Sequence, residues 1–71
     1  MKKLTLRKKF GAKIRLLRTA QGLSQEAFAD KCGYVRSYMG RIEVGIANPS
    51  LDAIEVLAAA LHVKVADLFV D

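Results

Sequence analysis

The sequence predicts an all-α domain built from five short helices, and three observations predict it. Apolar residues recur at intervals of three and four along the 71-residue chain, the pattern of helices that each bury one face. Glycine, serine and proline punctuate that pattern where helices should stop and start. No segment alternates apolar and polar residues long enough to compel a strand, and no repeat or low-complexity stretch is present.

Leu6, Phe10, Ile14 and Leu17 define the apolar stripe of a first helix from Leu6 to Gln21, with Lys8, Lys9, Lys13 and Arg15 mostly off it. Gly22 can take the left-handed conformation that ends a helix, and Leu23 can fold back onto it. Ser24 suits the cap of a second helix, about Gln25 to Lys31, because its hydroxyl can accept from an unpaired first-turn amide. Gln25 and Glu26 then set a polar and an acidic residue at the positive helix end. This helix turns Ala27 or Phe28, together with Ala29 and Cys32, inward. Gly33 supplies a tight turn before a third helix, Val35 to Glu43. Gly45 to Pro49 reads as a loop, and Ser50 caps a fourth helix whose stripe is Leu51, Ile54, Leu57, Ala58 and Leu61. His62 falls where that helix ends, in the role of a residue that tolerates positive φ. Val65 to Phe69 forms a last short helix.

Composition narrows the function. With 52% hydrophobic and 27% charged residues, the chain is globular, and residues 1–71 are expected to form one domain with no room for an enclosed catalytic pocket. Cys32 is the one cysteine and His62 the one histidine, so an internal disulfide and a four-ligand Cys/His zinc site are excluded. Neither a metal nor a cofactor is expected. No apolar run is long enough for a signal peptide or a membrane span, so a soluble cytoplasmic protein is expected. Catalytic templates also fail: there is no Gly-rich phosphate loop and no Ser/His/Asp set, which argues against an enzyme. Net charge is +5 and unevenly placed. Lys2, Lys3, Arg7, Lys8, Lys9, Lys13, Arg15 and Arg18 stand before residue 26 with no acid among them, whereas the remainder is net acidic. Concentrated positive charge suits a polyanion, either nucleic acid or an anionic membrane surface.

The stretch Gln25 to Ile42 carries the strongest signal. Counting Gln25 as the first position, Ala29 is fifth, Gly33 ninth, Met39 fifteenth and Ile42 eighteenth. A small residue at Ala29 lets two helices cross closely, Gly33 lets the chain turn, and Met39 with Ile42 packs the second helix on the core. This pattern resembles the helix-turn-helix of the phage-repressor and Cro-like regulator family. The resemblance extends through Ile14-Arg15-Leu16-Leu17-Arg18, Gly22 to Glu26, Arg36-Ser37-Tyr38, Arg41-Ile42-Glu43, Gly45, Asn48 to Leu51 and Asp67-Leu68-Phe69. It implies a compact five-helix, lambda-repressor-like DNA-binding domain with its helix-turn-helix at about residues 25–43, and a transcriptional regulator, repressor or autoregulator, that binds double-stranded DNA.

On that resemblance, Gln25 is expected to clamp a phosphate and brace the recognition helix. Arg36, Ser37, Gly40 and Arg41 project opposite Met39 and Ile42, since residues three and four apart share a face. Arg36 and Arg41 are the expected base readers, because a guanidinium fork matches guanine O6 and N7; binding phosphate is the other use open to both. Lys13, Ser24, Tyr38 and Asn48 are expected phosphate contacts, as are the amides of Gly45 to Ala47, and residues 1–5 form a basic arm. The resemblance also implies a structural ion pair of Arg18 with Glu43. A homodimer is implied through residues 63–71, with Val63, Val65, Leu68 and Phe69 at its interface, Leu68 pointing inward, and a pseudo-palindromic operator. The sequence departs from the family pattern at Val35, where a capping Ser, Thr or Asp is usual, and at Val44, where a basic residue is frequent. Two alternatives stand beside a repressor. An activator would touch RNA polymerase through Glu26, Asp30 or Glu55, and a helical protein-interaction adaptor or antitoxin would use the Val63 to Val70 surface for another protein.

Overall fold

The computed structural model describes residues 4–70. Its elements are α1 (Leu6–Ala20), α2 (Gln25–Cys32), α3 (Arg36–Val44) and α4 (Leu51–Leu61), followed by a 3-10 helix, Val65–Phe69. The described chain is all-helical, with four α-helices rather than five: the last segment is too short to wind as α-helix. It is held by the Asp67 carboxylate, which accepts from the Lys64 amide at 3.0 Å. Lys2 and Lys3, the charged part of the expected N-terminal arm, lie outside the described residues.

Local chemistry sets the helix starts. The hydroxyls of Ser24 and Ser50 accept from the amides of Ala27 and Ala53 at 3.0 and 3.1 Å, and Thr5 does the same for Lys8 at the head of α1. Val35 occupies the cap of α3 with no side-chain hydrogen bond, since valine carries no acceptor. The helix therefore begins one residue later than Val35. Gly33 ends α2 at φ 79°, a left-handed conformation in which a Cβ would be strained. His62 adopts φ 59° at the end of α4, the expected exception among non-glycine residues.

The core joins all elements: Phe10 and Ile14 from α1, Phe28 and Ala29 from α2, Met39 and Ile42 from α3, Leu57, Ala58 and Leu61 from α4, and Leu68 from the 3-10 helix. Of the alternatives on α2, Phe28 is the buried one and Ala27 is exposed. Leu6 and Leu51 leave the expected stripes, at 67% and 81% exposed, because each occupies the first position of its helix and projects beyond the packed layer. Gly11 brings α1 against α3: a Cβ there would meet the Glu43 carbonyl oxygen at 2.7 Å and the Ile42 carbonyl oxygen closer still. This approach, with Met39 and Ile42 sealed inward, fixes which face of α3 meets solvent.

Candidate nucleic-acid interface

The fixed face of α3 leaves Ser37 and Arg41 exposed and Gly40 half-buried, all opposite Met39 and Ile42. Arg36 stands at the edge of that face. Its guanidinium donates to the Gln25 side-chain oxygen at 3.1 Å, while the Gln25 amide nitrogen donates to the Glu43 carboxylate at 3.1 Å. The second bond dictates the first. An ionised carboxylate only accepts, so the amide must turn its N–H₂ toward Glu43 and its oxygen toward Arg36. Gln25 thus braces α3 from α2, as expected of it.

Beneath Gln25 lies the ion pair. Arg18 Nε donates to Glu43 Oε2 at 2.6 Å and Arg18 Nη2 to Oε1 at 2.9 Å, a bidentate arrangement. The two side chains are 10% and 3% exposed. Arg18 also donates to the Leu23 carbonyl at 2.8 Å, tying the α1–α2 turn to the same node. The Glu43 hydrogen bond outweighs desolvation and holds the Arg18 guanidinium above its ordinary pKa. Arg18, Glu43, Gln25 and Arg36 therefore form one hydrogen-bonded chain from the core to the outer face of α3.

The other expected contacts fall less uniformly. Ser24 is exposed, and although its oxygen caps α2, its hydroxyl proton remains a donor. Tyr38 is half-buried and stacks edge-on with Tyr34, ring centroids 5.1 Å apart, while the Arg41 guanidinium lies 5.8 Å from the Tyr38 ring centroid. Arg41 is thereby kept beside the outer face by a cation–π contact. The backbone amides after α3 differ from expectation. Gly45 donates to the Ile42 carbonyl, and Ile46 and Ala47 both donate to Arg41 at 3.0 and 3.1 Å, so these amides close the helix and are not free for phosphate. Asn48 is exposed and borders a cleft with Leu6, Arg7, Phe10, Pro49, Ile54 and Phe69.

Lys13 and Arg15, two residues apart on α1, face different ways. Lys13 lines a groove with Lys9, Leu16, Phe69 and Val70, whereas Arg15 lines a cleft with Gln25, Glu43 and Val44 beside α3. Arg15 was not among the expected contacts, and the charge pattern alone gave no way to separate it from its basic neighbours. At the C-terminal end Leu68 is 1% exposed and belongs to the core, and Val63 is half-buried. The outward apolar residues there are Val65, Phe69 and Val70, at 41%, 45% and 55% exposure, and Phe69 packs on Phe10 with ring centroids 5.2 Å apart.

A braced, solvent-facing second helix of this kind, in a chain rich in positive charge, defines a helix-turn-helix transcriptional regulator. The comparisons agree: the chain belongs to the helix-turn-helix domain family, whose model matches residues 9–68. It is similar to the control protein C.BamHI of Bacillus amyloliquefaciens, 43% identical over 60 residues that cover 83% of this chain and 74% of that protein. Among solved structures it is similar to the restriction-modification controller protein C.AhdI from Aeromonas hydrophila, with TM-score 0.85 and 50% identity, covering 87% of this chain and 94% of that one. It is also similar to the biofilm regulator SinR in complex with DNA, with TM-score 0.78 and 35% identity over 83% of this chain and 95% of that one.

Proposed function

We propose that the protein binds a pseudo-palindromic duplex operator as a homodimer and acts there as a repressor or autoregulator, with α3 of each protomer in the major groove. The observation that carries this reading is the outer face of α3, where Ser37, Gly40 and Arg41 lie clear of the core and Arg36 is held by Gln25. Arg36 and Arg41 read guanine through O6 and N7, and each such pair discriminates by about 1–3 kcal/mol. Ser24, Gln25, Tyr38 and Asn48 anchor the phosphate backbone, which fixes register without reading sequence. The SinR complex with DNA, a protein of similar fold, supports the choice of duplex DNA as ligand. Val65, Phe69 and Val70 form the two-fold contact, supported by their exposure at one end of the fold. That contact sets the two recognition helices one DNA turn apart, about 34 Å. The likeness to controller proteins supports autoregulation, and such a regulator works in the cytoplasm, where its operator lies. Glu26 and Asp30, exposed on α2, are the surface through which a bound dimer would touch RNA polymerase.

Sedimentation of the protein alone and on a short two-fold symmetric duplex tests this reading. It predicts a dimer at micromolar concentration and two chains per duplex. A monomer that saturates the duplex one chain at a time would overturn the dimeric reading. Equal affinity for single-stranded RNA, or a stoichiometric protein partner held without DNA, would overturn the operator reading.

A further inference from the structure

The cleft between α1 and α3 encloses about 350 Å³ and is lined by Arg15, Arg18, Gln25, Glu43 and Val44. Arg18 and Glu43 compensate one another in its floor. The Glu43 oxygens face donors already, Oε2 from Arg18 and Oε1 from both Arg18 and Gln25, so little negative potential reaches the opening. Arg15 is exposed, and among the described residues its guanidinium has no hydrogen-bond or ion-pair partner. Its charge is the uncompensated one in the cleft. Further donors converge there: the Gln25 amide has a second N–H beyond the one given to Glu43, and Arg18 uses three of its five.

The position of the cleft matters as much as its charge. Its α3 wall is Val44, which follows Arg41 by one helical turn and Ser37 by two, so it lies on the outer stripe of α3. Val44 is 59% exposed and offers no donor, so it cannot anchor an anion on that stripe. Across the opening, Arg15 can.

We propose that this cleft seats one backbone phosphate of the duplex, with Arg15 as its cation, supplied by α1 from outside the helix-turn-helix. The inference rests on the reading of α3 as a major-groove helix. A phosphate flanking that groove enters beside Val44, meets the Arg15 fork, and receives the free Gln25 N–H. Arg15 then contributes affinity and counterion release but no base discrimination.

The test is the salt dependence of duplex affinity, measured by fluorescence anisotropy for wild type, Arg15→Gln, Arg15→Lys and the control Lys31→Gln. Lys31 is an exposed lysine at the far end of α2 beside His62, so its loss removes an equal charge away from the cleft. Neutralising one phosphate contact lowers the slope of log affinity against log salt by about 0.9. The expected result is that loss for Arg15→Gln, its recovery in Arg15→Lys, and a wild-type slope for Lys31→Gln, with the selected operator motif unchanged throughout. A wild-type slope in Arg15→Gln, or an equal loss in Lys31→Gln, would overturn the phosphate seat. Absence of duplex binding by the wild type would instead overturn the reading on which it rests, and thermal melts of each variant separate either outcome from misfolding.

Discussion

Replacing Glu43 by leucine leaves the Arg18 guanidinium charged, about nine-tenths buried and reduced to one partner, the Leu23 carbonyl at 2.8 Å. Two short bonds to the carboxylate are lost at once, and the Gln25 N–H₂ loses its acceptor. Breaking a buried ion pair from one side costs about 3–5 kcal/mol. A domain of 71 residues has a total stability of about 4–11 kcal/mol, so Glu43→Leu should consume a third of it at the least. Each kcal/mol shifts the melting temperature of a domain this size by about 4–8 °C, which predicts a fall of at least about 12 °C. Arg18→Met should do the same from the other side, stranding a carboxylate that retains its bond from Gln25. The double variant removes both charges and should cost less than the sum of the singles, with a coupling of about 2–3 kcal/mol. Urea unfolding followed by circular dichroism at one fixed protein concentration measures all three, since dimerisation would otherwise shift the midpoint. Single variants within about 1 kcal/mol of wild type, or a strictly additive cycle, would refute the claim that this pair locks α3 to α1.

Three further outcomes follow from the packing around that node. Gly11→Ala should destabilise by about 1–3 kcal/mol in urea unfolding, against the gain of about 1 kcal/mol that alanine gives in a helix, because its methyl would collide with the Ile42 and Glu43 carbonyls. Gly40→Ala should do the reverse: the nearest atom is Gln25 Oε1 at 3.6 Å, so the free domain gains about 1 kcal/mol, while anisotropy should show weaker duplex binding because the methyl stands where α3 meets the base edges. Burial pushes the Cys32 thiol up, the charge of Lys31 opposing it, so less thiolate is present at pH 7–8 than in the unfolded chain. Alkylation followed by mass spectrometry should be slow in buffer and fast in urea.

The helix ends were legible because their signals are local. Ser24 and Ser50 cap where their hydroxyls can reach an amide, and Gly33 and His62 adopt positive φ where the apolar pattern stops. What depends on the packing of one helix against another was less so. Periodicity assigned Leu6 and Leu51 to buried stripes, but it cannot tell which end of a helix extends past the core. Lys13 and Arg15 read alike as cations on α1, yet two residues turn a helix through more than half a circle, and the contact of Gly11 with α3 decides which of them borders the recognition helix. The amides of Gly45 to Ala47 looked free in a loop and prove to be engaged by the last carbonyls of α3. Arg18 and Glu43 stand 25 residues apart, a separation at which family resemblance predicts a pair and charge pattern does not.

The central claim is that Arg36 and Arg41 on the outer face of α3 read operator sequence. Selection of bound duplexes from a randomised DNA library at physiological salt, repeated with Arg36→Ala and Arg41→Ala, tests it most directly. The account predicts a two-fold-related motif containing guanine that relaxes at particular positions in the variants, while a variant that lost a phosphate contact would weaken binding evenly across sequences. Enrichment of no motif by folded wild-type protein, or of the same motif with the same preferences by both variants, would contradict it.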